Sequence, residues 1–285
     1  MDRVSQIIAT NHKEKIMKNV HVINDCQDEN ARLRQMARYG AYFPGTNIIF
    51  AGVSSDLEAA FMLVDTIDAL DGHTGVITVN VAPRNGEAKK YANGTPFGKV
   101  QVEDITIFAS IDGATLRLLN KVRSSLQLCV YDIPEVVHYL TPDKNIQKHI
   151  TLTQFRSFEF LPRLAKAVVL QGVTLSGHHM SLADYCGDDA LGAIACVDCF
   201  GNLKTTLLPE EVGFEPGKSM ELKVNGSLVN VKGYLRLKDI PDGELGLTIG
   251  SSGLGFQRFL ELVCQGGDAG RRLSASVGTL IHLAK

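Results

Sequence analysis

No stretch of this sequence approaches the roughly 18 consecutive apolar residues that a membrane-spanning helix needs. Neither sign of charge is in excess: 29 Lys and Arg stand against 31 Asp and Glu, a formal net charge of −2. Bulk electrostatics therefore gives no reason to expect nucleic acid or an anionic membrane as partner. The densest basic pairs, Lys89-Lys90 and Arg271-Arg272, read as solvated faces. The opening MDRVSQIIATNHKEKIMK mixes charges throughout and lacks the apolar centre of a secretory signal, so a cytoplasmic location is expected. Cysteine is too sparse for a disulfide framework, with six in 285 residues. Cys196 and Cys199 form a C-x-x-C, but no second pair or His pair at ligand spacing accompanies it, so no metal is expected. Both lie in an alternating β-branched run where thiols pack as small hydrophobes. The glycine-rich residues 250–270 contain neither GKS nor GKT, and no G-x-G-x-x-G in a βαβ setting, which argues against a phosphate loop.

What is present divides the chain in two. From Val20 to about Val169, strand-like runs (NVHVIND, NIIFAGV, HTGVITVNV, DITIFAS, LQLCVYDI) alternate with helical spacing. The best helix is SSDLEAAFMLVDTIDAL, with Ser55 as its cap and Glu58 completing a capping box. Alternation of this kind predicts a layered α/β domain with a mostly parallel sheet over residues 1–170. Residues 171–189 are turn-rich and read as a linker. In residues 190–285 short strands are separated by Gly, Pro and Asn turns, which predicts a small all-β barrel domain.

Ligands of α/β proteins bind at the carboxyl ends of parallel strands. Asp25 closes the first strand in INDCQDEN, and PRNGE closes another. A carboxylate there matches the two hydroxyls of a ribose; it equally suits a cap on the following helix. Both readings stand on the sequence. In residues 250–270 a bent strand that lets backbone approach a flat ligand fits better than a phosphate loop, with Gln265 able to pair with an amide-like edge. The stretch GAIACVDCFGNLKTT is the least ordinary: its strand ends in Asp198, Phe200, Gly201 and Asn202, a combination rarely assembled for packing.

Here the sequence resembles a family. VDCFGNLKTT is similar to the D-x-F-G-N-x-x-T-N that opens the C-terminal barrel of the S-adenosylmethionine hydroxide adenosyltransferases and halogenases. FLELVCQGGDAGRRL, followed by SVG, resembles their late Y-L-E-I-A-V-N-x-G-S-A-A. Gly250-Ser251-Ser252-Gly253 matches too, with LGFQR inserted before the last strand. INDCQDEN stands where the family has T-D-F-G-x-x-D, VNVAPRNGEAKK where it has V-V-D-P-G-V-G-x-x-R, and FRSFEFLPRLAKAV where it has F-H-G-R-D-I-F-A-P. The resemblance spans nearly the whole chain and is strongest in the barrel.

It implies a homotrimer that binds S-adenosylmethionine as substrate or ligand, with no further cofactor, between the N-terminal part of one subunit and the barrel of its neighbour. A nucleophile attacks the ribose 5′ carbon in line and methionine leaves; water or hydroxide gives adenosine, halide a halo-adenosine. Carried over by position, Asp25 holds the ribose hydroxyls and Asp198 meets the methionine ammonium. Phe200 and Asn202 shape the adenosine pocket, and Ser251, Ser252, Gln265 and Gly266 frame the adenine edge. The family's water-activating aspartate, arginine and histidine become Ala82, Lys89 and Phe155. Only the cation of Lys89 remains as a catalytic candidate, without arginine's planar fork and without a general base beside it. The halogenase's long N-terminal insertion is absent. A nucleoside-binding trimer with little or no turnover, or a halide-using relative, is the alternative expectation.

Overall fold

The computed structural model describes residues 17–82, 91–187 and 192–284. The first sheet takes β1 (Asn19–Asn24), β2 (Asn47–Gly52), β3 (Gly75–Asn80), β4 (Phe97–Val102), β5 (Ile105–Ser110), β6 (Gln127–Tyr131) and β7 (His178–Ser181). Around it lie α1 (Glu29–Tyr42), α2 (Asp56–Ala69), α3 (Arg117–Val122), α4 (Ile133–Leu140), α5 (Lys144–Leu152), α6 (Arg156–Glu159), α7 (Leu161–Val169) and α8 (Leu182–Cys186). Its strand order is β2-β1-β3-β5-β4-β6-β7.

The sheet is mixed rather than mostly parallel. The pairs β1–β2, β1–β3 and β3–β5 are parallel, whereas β4–β5, β4–β6 and β6–β7 are antiparallel. The reason is local. FGKVQV forms a strand that sequence periodicity alone leaves out, and it joins β5 through a tight turn in which Glu103 takes φ 50°. A hairpin reverses direction where a helical crossover would have kept it. The expected linker is likewise part of the fold. His178–Ser181 extends the sheet as β7, and α8 follows with Leu182 and Cys186 buried. The first unit therefore runs at least to Cys186, beyond residue 170.

The second sheet holds β8 (Ile194–Val197), β9 (Leu203–Thr205), β10 (Ser219–Val224), β11 (Ser227–Gly233), β12 (Leu245–Leu254), β13 (Gln257–Cys264) and β14 (Ile281–Leu283), ordered β14-β10-β11-β12-β13-β9-β8. It curls until its ends meet. Ala193 bridges Leu280, the Ile194 N–H donates to Thr279 O at 2.8 Å, and the Ile281 N–H donates to Gly192 O at 2.9 Å. The result is nearly a barrel. The α-helix described in this half is α9 (Ala269–Leu273). Among the described residues no helix is long and apolar enough to cross a membrane.

Helix α2 joins the two sheets. Ser55 Oγ accepts the Glu58 N–H at 3.1 Å, and the Glu58 carboxylate accepts the Ser54 N–H at 2.7 Å, which closes its first turn. Its buried residues Leu57, Ala59, Ala60, Phe61, Leu63, Val64 and Ile67 cover more than one stripe, as a helix enclosed on several sides requires. It touches β1 and β3 on one side, β8 and β12 on the other. One apolar cluster consequently includes Ile77 and Ile107 of the first sheet with Ala195 and Phe259 of the second. Phe61 meets Phe259 with ring centroids 6.0 Å apart. Truncating Phe259→Ala is expected to cost about 3–5 kcal/mol, because its cavity opens at this shared core. Urea denaturation should show that loss as one cooperative transition. A cost below about 1 kcal/mol would show that α2 does not bind the sheets together.

Candidate functional site

Strand β1 lies between β2 and β3 and runs parallel to both, so the chain leaves β1 to one side and returns on the other. That reversal is the switch point at which doubly wound sheets open a crevice beyond their carboxyl ends. Asp25 stands there. Its Oδ1 accepts from Asn80 Nδ2 at 3.2 Å and its Oδ2 from the Ala82 N–H at 3.0 Å, while its own N–H donates to Asn80 O at 3.1 Å. The helix-cap reading belongs to another residue: Asp28 caps α1 by accepting the Ala31 N–H at 3.0 Å. Asp25 faces the exit of β3 instead.

Two buried carboxamides and a hydroxyl complete this edge. Asn24 Nδ2 donates to Gln35 Oε1 at 2.8 Å, and Asn24 Oδ1 accepts the Cys26 N–H at 2.9 Å. Ser110, at the end of β5, accepts the Val81 N–H at 3.1 Å and donates to Val81 O at 3.2 Å. The backbone leaving β3 is thus clamped from both sides, by Asp25 and by Ser110. Sequence reading missed Asn24, Asn80 and Ser110. The available signal was that NVHVIN and GVITVN both run apolar into a terminal Asn, an unusual last residue for a buried strand.

The positions matching the water-activating trio behave differently. Ala82 gives the edge only its backbone N–H. Phe155 stacks on Phe158 with centroids 5.3 Å apart, and the Arg34 guanidinium lies 5.0 Å from the Phe155 ring centre. Neither side chain can accept a proton. Lys89 lies outside the described residues, as do Arg84, Asn85 and Glu87.

The second group is the turn between β8 and β9. Asp198 Oδ1 accepts the N–H groups of Phe200 and Asn202, each at 2.9 Å, and Oδ2 accepts Asn202 Nδ2 at 2.9 Å. Burial pushes the Asp198 carboxyl up, but the bonds from Asn202 and Phe200 outweigh it and hold it below the usual carboxylate range. Gly201 takes φ +82°, and a Cβ there would meet the Asp268 carboxyl at 2.3 Å. Asp, Gly and Asn therefore stand together because the turn ties itself, and Asn202 is buried by it. Phe200 is left 74% exposed on a fixed backbone.

Gln265 and Gly266 lie at the same end of the barrel. They follow β13 and precede Asp268, which caps α9 and abuts Gly201. The Gln265 backbone is pinned by Gly243 N–H at 2.8 Å and Glu244 O at 3.0 Å. Ser251 and Ser252 do not join them. They sit where the β12–β13 register slips, toward the opposite end of that hairpin. Ser252 hydrogen-bonds Asp65 of α2, which also accepts the Gly253 N–H at 3.0 Å. Ser251 O accepts from Arg258 Nη1 at 2.9 Å, and Arg258 pairs with Asp68 at 2.8 Å. Within one chain these serines serve the α2 junction, where burial holds the Asp65 carboxyl above its usual range. None of the six cysteines is joined in a disulfide, and among the described residues no group of three or more His, Cys, Asp or Glu could hold a metal ion.

With this geometry in view, comparison with known proteins shows the fold alone. No family model matches the chain, and no curated protein does. A solved structure of an uncharacterised conserved protein from Thermotoga maritima is similar, with a TM-score of 0.65 at 18% identity, covering 93% of this chain and 100% of that one. A conserved hypothetical protein from Thermus thermophilus gives 0.58 at 19% identity, covering 94% and 100%.

The self-tied turn has two measurable consequences. Gly201→Ala is expected to destabilise by about 1–3 kcal/mol from the left-handed backbone alone, with the Asp268 collision added, as read by urea midpoint. A carboxylate whose folded pKa is depressed contributes stability that is present above its unfolded value and lost as pH falls through the folded one. Wild type should therefore lose its advantage over Asp198→Asn as pH falls below the unfolded carboxylate value of about 4. A difference that stays constant across that window would show the carboxylate charge to be irrelevant.

Proposed function

We propose that this chain is an adenosyl-binding protein that cleaves S-adenosylmethionine slowly, by displacement at the ribose 5′ carbon. In this reading the two sheets act as two domains of a homotrimer. The ligand lies between the Asp25 edge of one protomer and the Asp198–Gln265 end of another. The observation that carries it is Asp25 at the switch point, beside the exits of β1 and β3, where a bound ribose would present its hydroxyls. The fixed, uncovered Phe200 ring supports a shared site, because a second protomer supplies a wall that a single chain does not.

The chemistry follows from the side chains. Water attacks the 5′ carbon opposite the sulfonium, methionine leaves as a neutral thioether, and the water proton must pass to a base. Ala82 and Phe155 offer none, and a Lys89 ammonium at neutral pH cannot accept it. Positioning and exclusion of water remain, and orientation contributes as much as about 7–11 kcal/mol in favourable cases. Base assistance contributes about 10²–10⁴-fold, so turnover is expected to be lower by that order. The Phe155–Phe158 stack beneath Arg34 gives the non-cleaving alternative its own support, since the ring at position 155 is held in an aromatic pair and cannot take up the water proton.

Chromatography of S-adenosylmethionine incubated with wild type is expected to show feeble release of adenosine and methionine. The double substitution Ala82→Asp, Phe155→His should raise it by about 10² or more. A wild-type rate near about 10 per second would contradict the missing base. No thermal stabilisation by either adenosine or S-adenosylmethionine would overturn adenosyl binding, since a ligand at about 100 times its Kd contributes about 2.7 kcal/mol. Light scattering that returns the mass of one chain at micromolar concentration would overturn the trimer.

A further inference from the structure

The fold gathers on one face basic residues that the sequence scatters. Arg34, Arg38 and Tyr42 follow one another four residues apart on α1 and so share one side of it. Arg163 and Lys166 come from α7. Aromatic rings lie between the cations. The Arg34 guanidinium lies 4.5 Å and the Arg38 guanidinium 4.0 Å from the Phe158 ring centre. Lys166 Nζ lies 4.9 Å and Arg163 Cζ 5.7 Å from that of Tyr42.

The carboxylate among them is Glu159. It is buried, accepts from Arg163 Nη1 at 2.7 Å and Arg38 Nη1 at 3.1 Å, and has His149 Nε2 at 3.6 Å. Burial raises its carboxyl, but the two arginines outweigh that and hold it below the usual range, so it stays ionised. Among the described residues Arg34 and Lys166 form no ion pair. Two ordered cations are thus uncompensated, on a chain whose net charge is −2.

We propose that this face binds single-stranded nucleic acid. A guanidinium held over a ring and free of a carboxylate, as Arg34 is, has N–H groups for a phosphate and a planar face for stacking. Unpaired bases stack on such planes while phosphates follow the charges, and both requirements are met along the line from Phe155 through Arg34 to Tyr42. An acidic peptide would use the charge but not the planes. The proposal does not rest on the adenosyl reading.

Fluorescence anisotropy of a labelled oligouridylate of about 12 nucleotides tests it, within the length that such surfaces occupy. With two phosphates contacted, log K should fall with log salt at a slope of about −1.4. Arg34→Gln with Lys166→Gln should remove most of that slope and weaken binding by at least about tenfold. Lys166→Gln alone leaves the Phe155 stack intact and should still flatten the slope. Arg34→Lys keeps the charge and loses the plane, so affinity should fall with the slope unchanged. Circular dichroism and melting should match wild type for each variant carried forward. Absence of binding at about 50 mM salt, variants that bind as wild type does, or displacement by polyglutamate at equal charge would each overturn the proposal.

Discussion

Helix α2 is the element on which the remainder depends, because both sheets bury apolar surface against it. Phe61 and Phe259 meet across that junction, and two acids on the same helix, Asp65 and Asp68, hold the turned backbone of the β12–β13 hairpin through Gly253, Gly255 and Arg258. The two acids respond to burial in opposite ways. Asp65 is deep enough for desolvation to dominate, whereas Asp68 is held below its ordinary range by Arg258 and the Gly255 N–H acting against a weaker burial. The residues 251–258 that look ligand-directed in sequence are therefore first a strut between sheets. Their glycines let backbone approach a helix of the same chain.

The two candidate ligand surfaces are built on different principles. At the first sheet's edge, polar groups from three strands and α1 pair with one another: Asn24 with Gln35, Asn80 with Asp25, Ser110 with Val81. Such buried networks rigidify a site because each member fixes the next. At the barrel's end a single carboxylate, Asp198, organises its own turn, and the turn is steadied from behind by Asp268 and the bond from Gly270 N–H to Gly201 O at 3.0 Å. One surface is a network, the other a clasp.

Legibility in the sequence follows the range of the interactions. The capped helix α2, the strand runs NVHVIND and HTGVITVNV, and the change to short strands in the C-terminal part are local patterns, and each is readable. FGKVQV is not, because its direction is set by a hairpin turn at Glu103, where a residue of ordinary turn propensity takes a left-handed backbone. HHMS reads as linker because four polar or mixed residues carry no period; pairing with β6 makes them a strand. The same holds at the site. Asp25 can be singled out, but its choice between cap and strand-end contact depends on where β3 emerges, some 55 residues later. Ser251 and Ser252 read as ligand groups because only the folded chain reveals α2 behind them.

The clasp at Asp198 separates two demands that usually conflict. Its fold is held by Asp198, Gly201 and Asn202, whose polar groups are consumed inside the turn. Phe200 contributes only its backbone N–H to that arrangement. The side chain at position 200 is consequently free to change shape and polarity while the loop keeps its path. Lineages that retain the Asp-x-x-Gly-Asn frame can exchange what the lip touches in a single substitution, without first acquiring a compensating one.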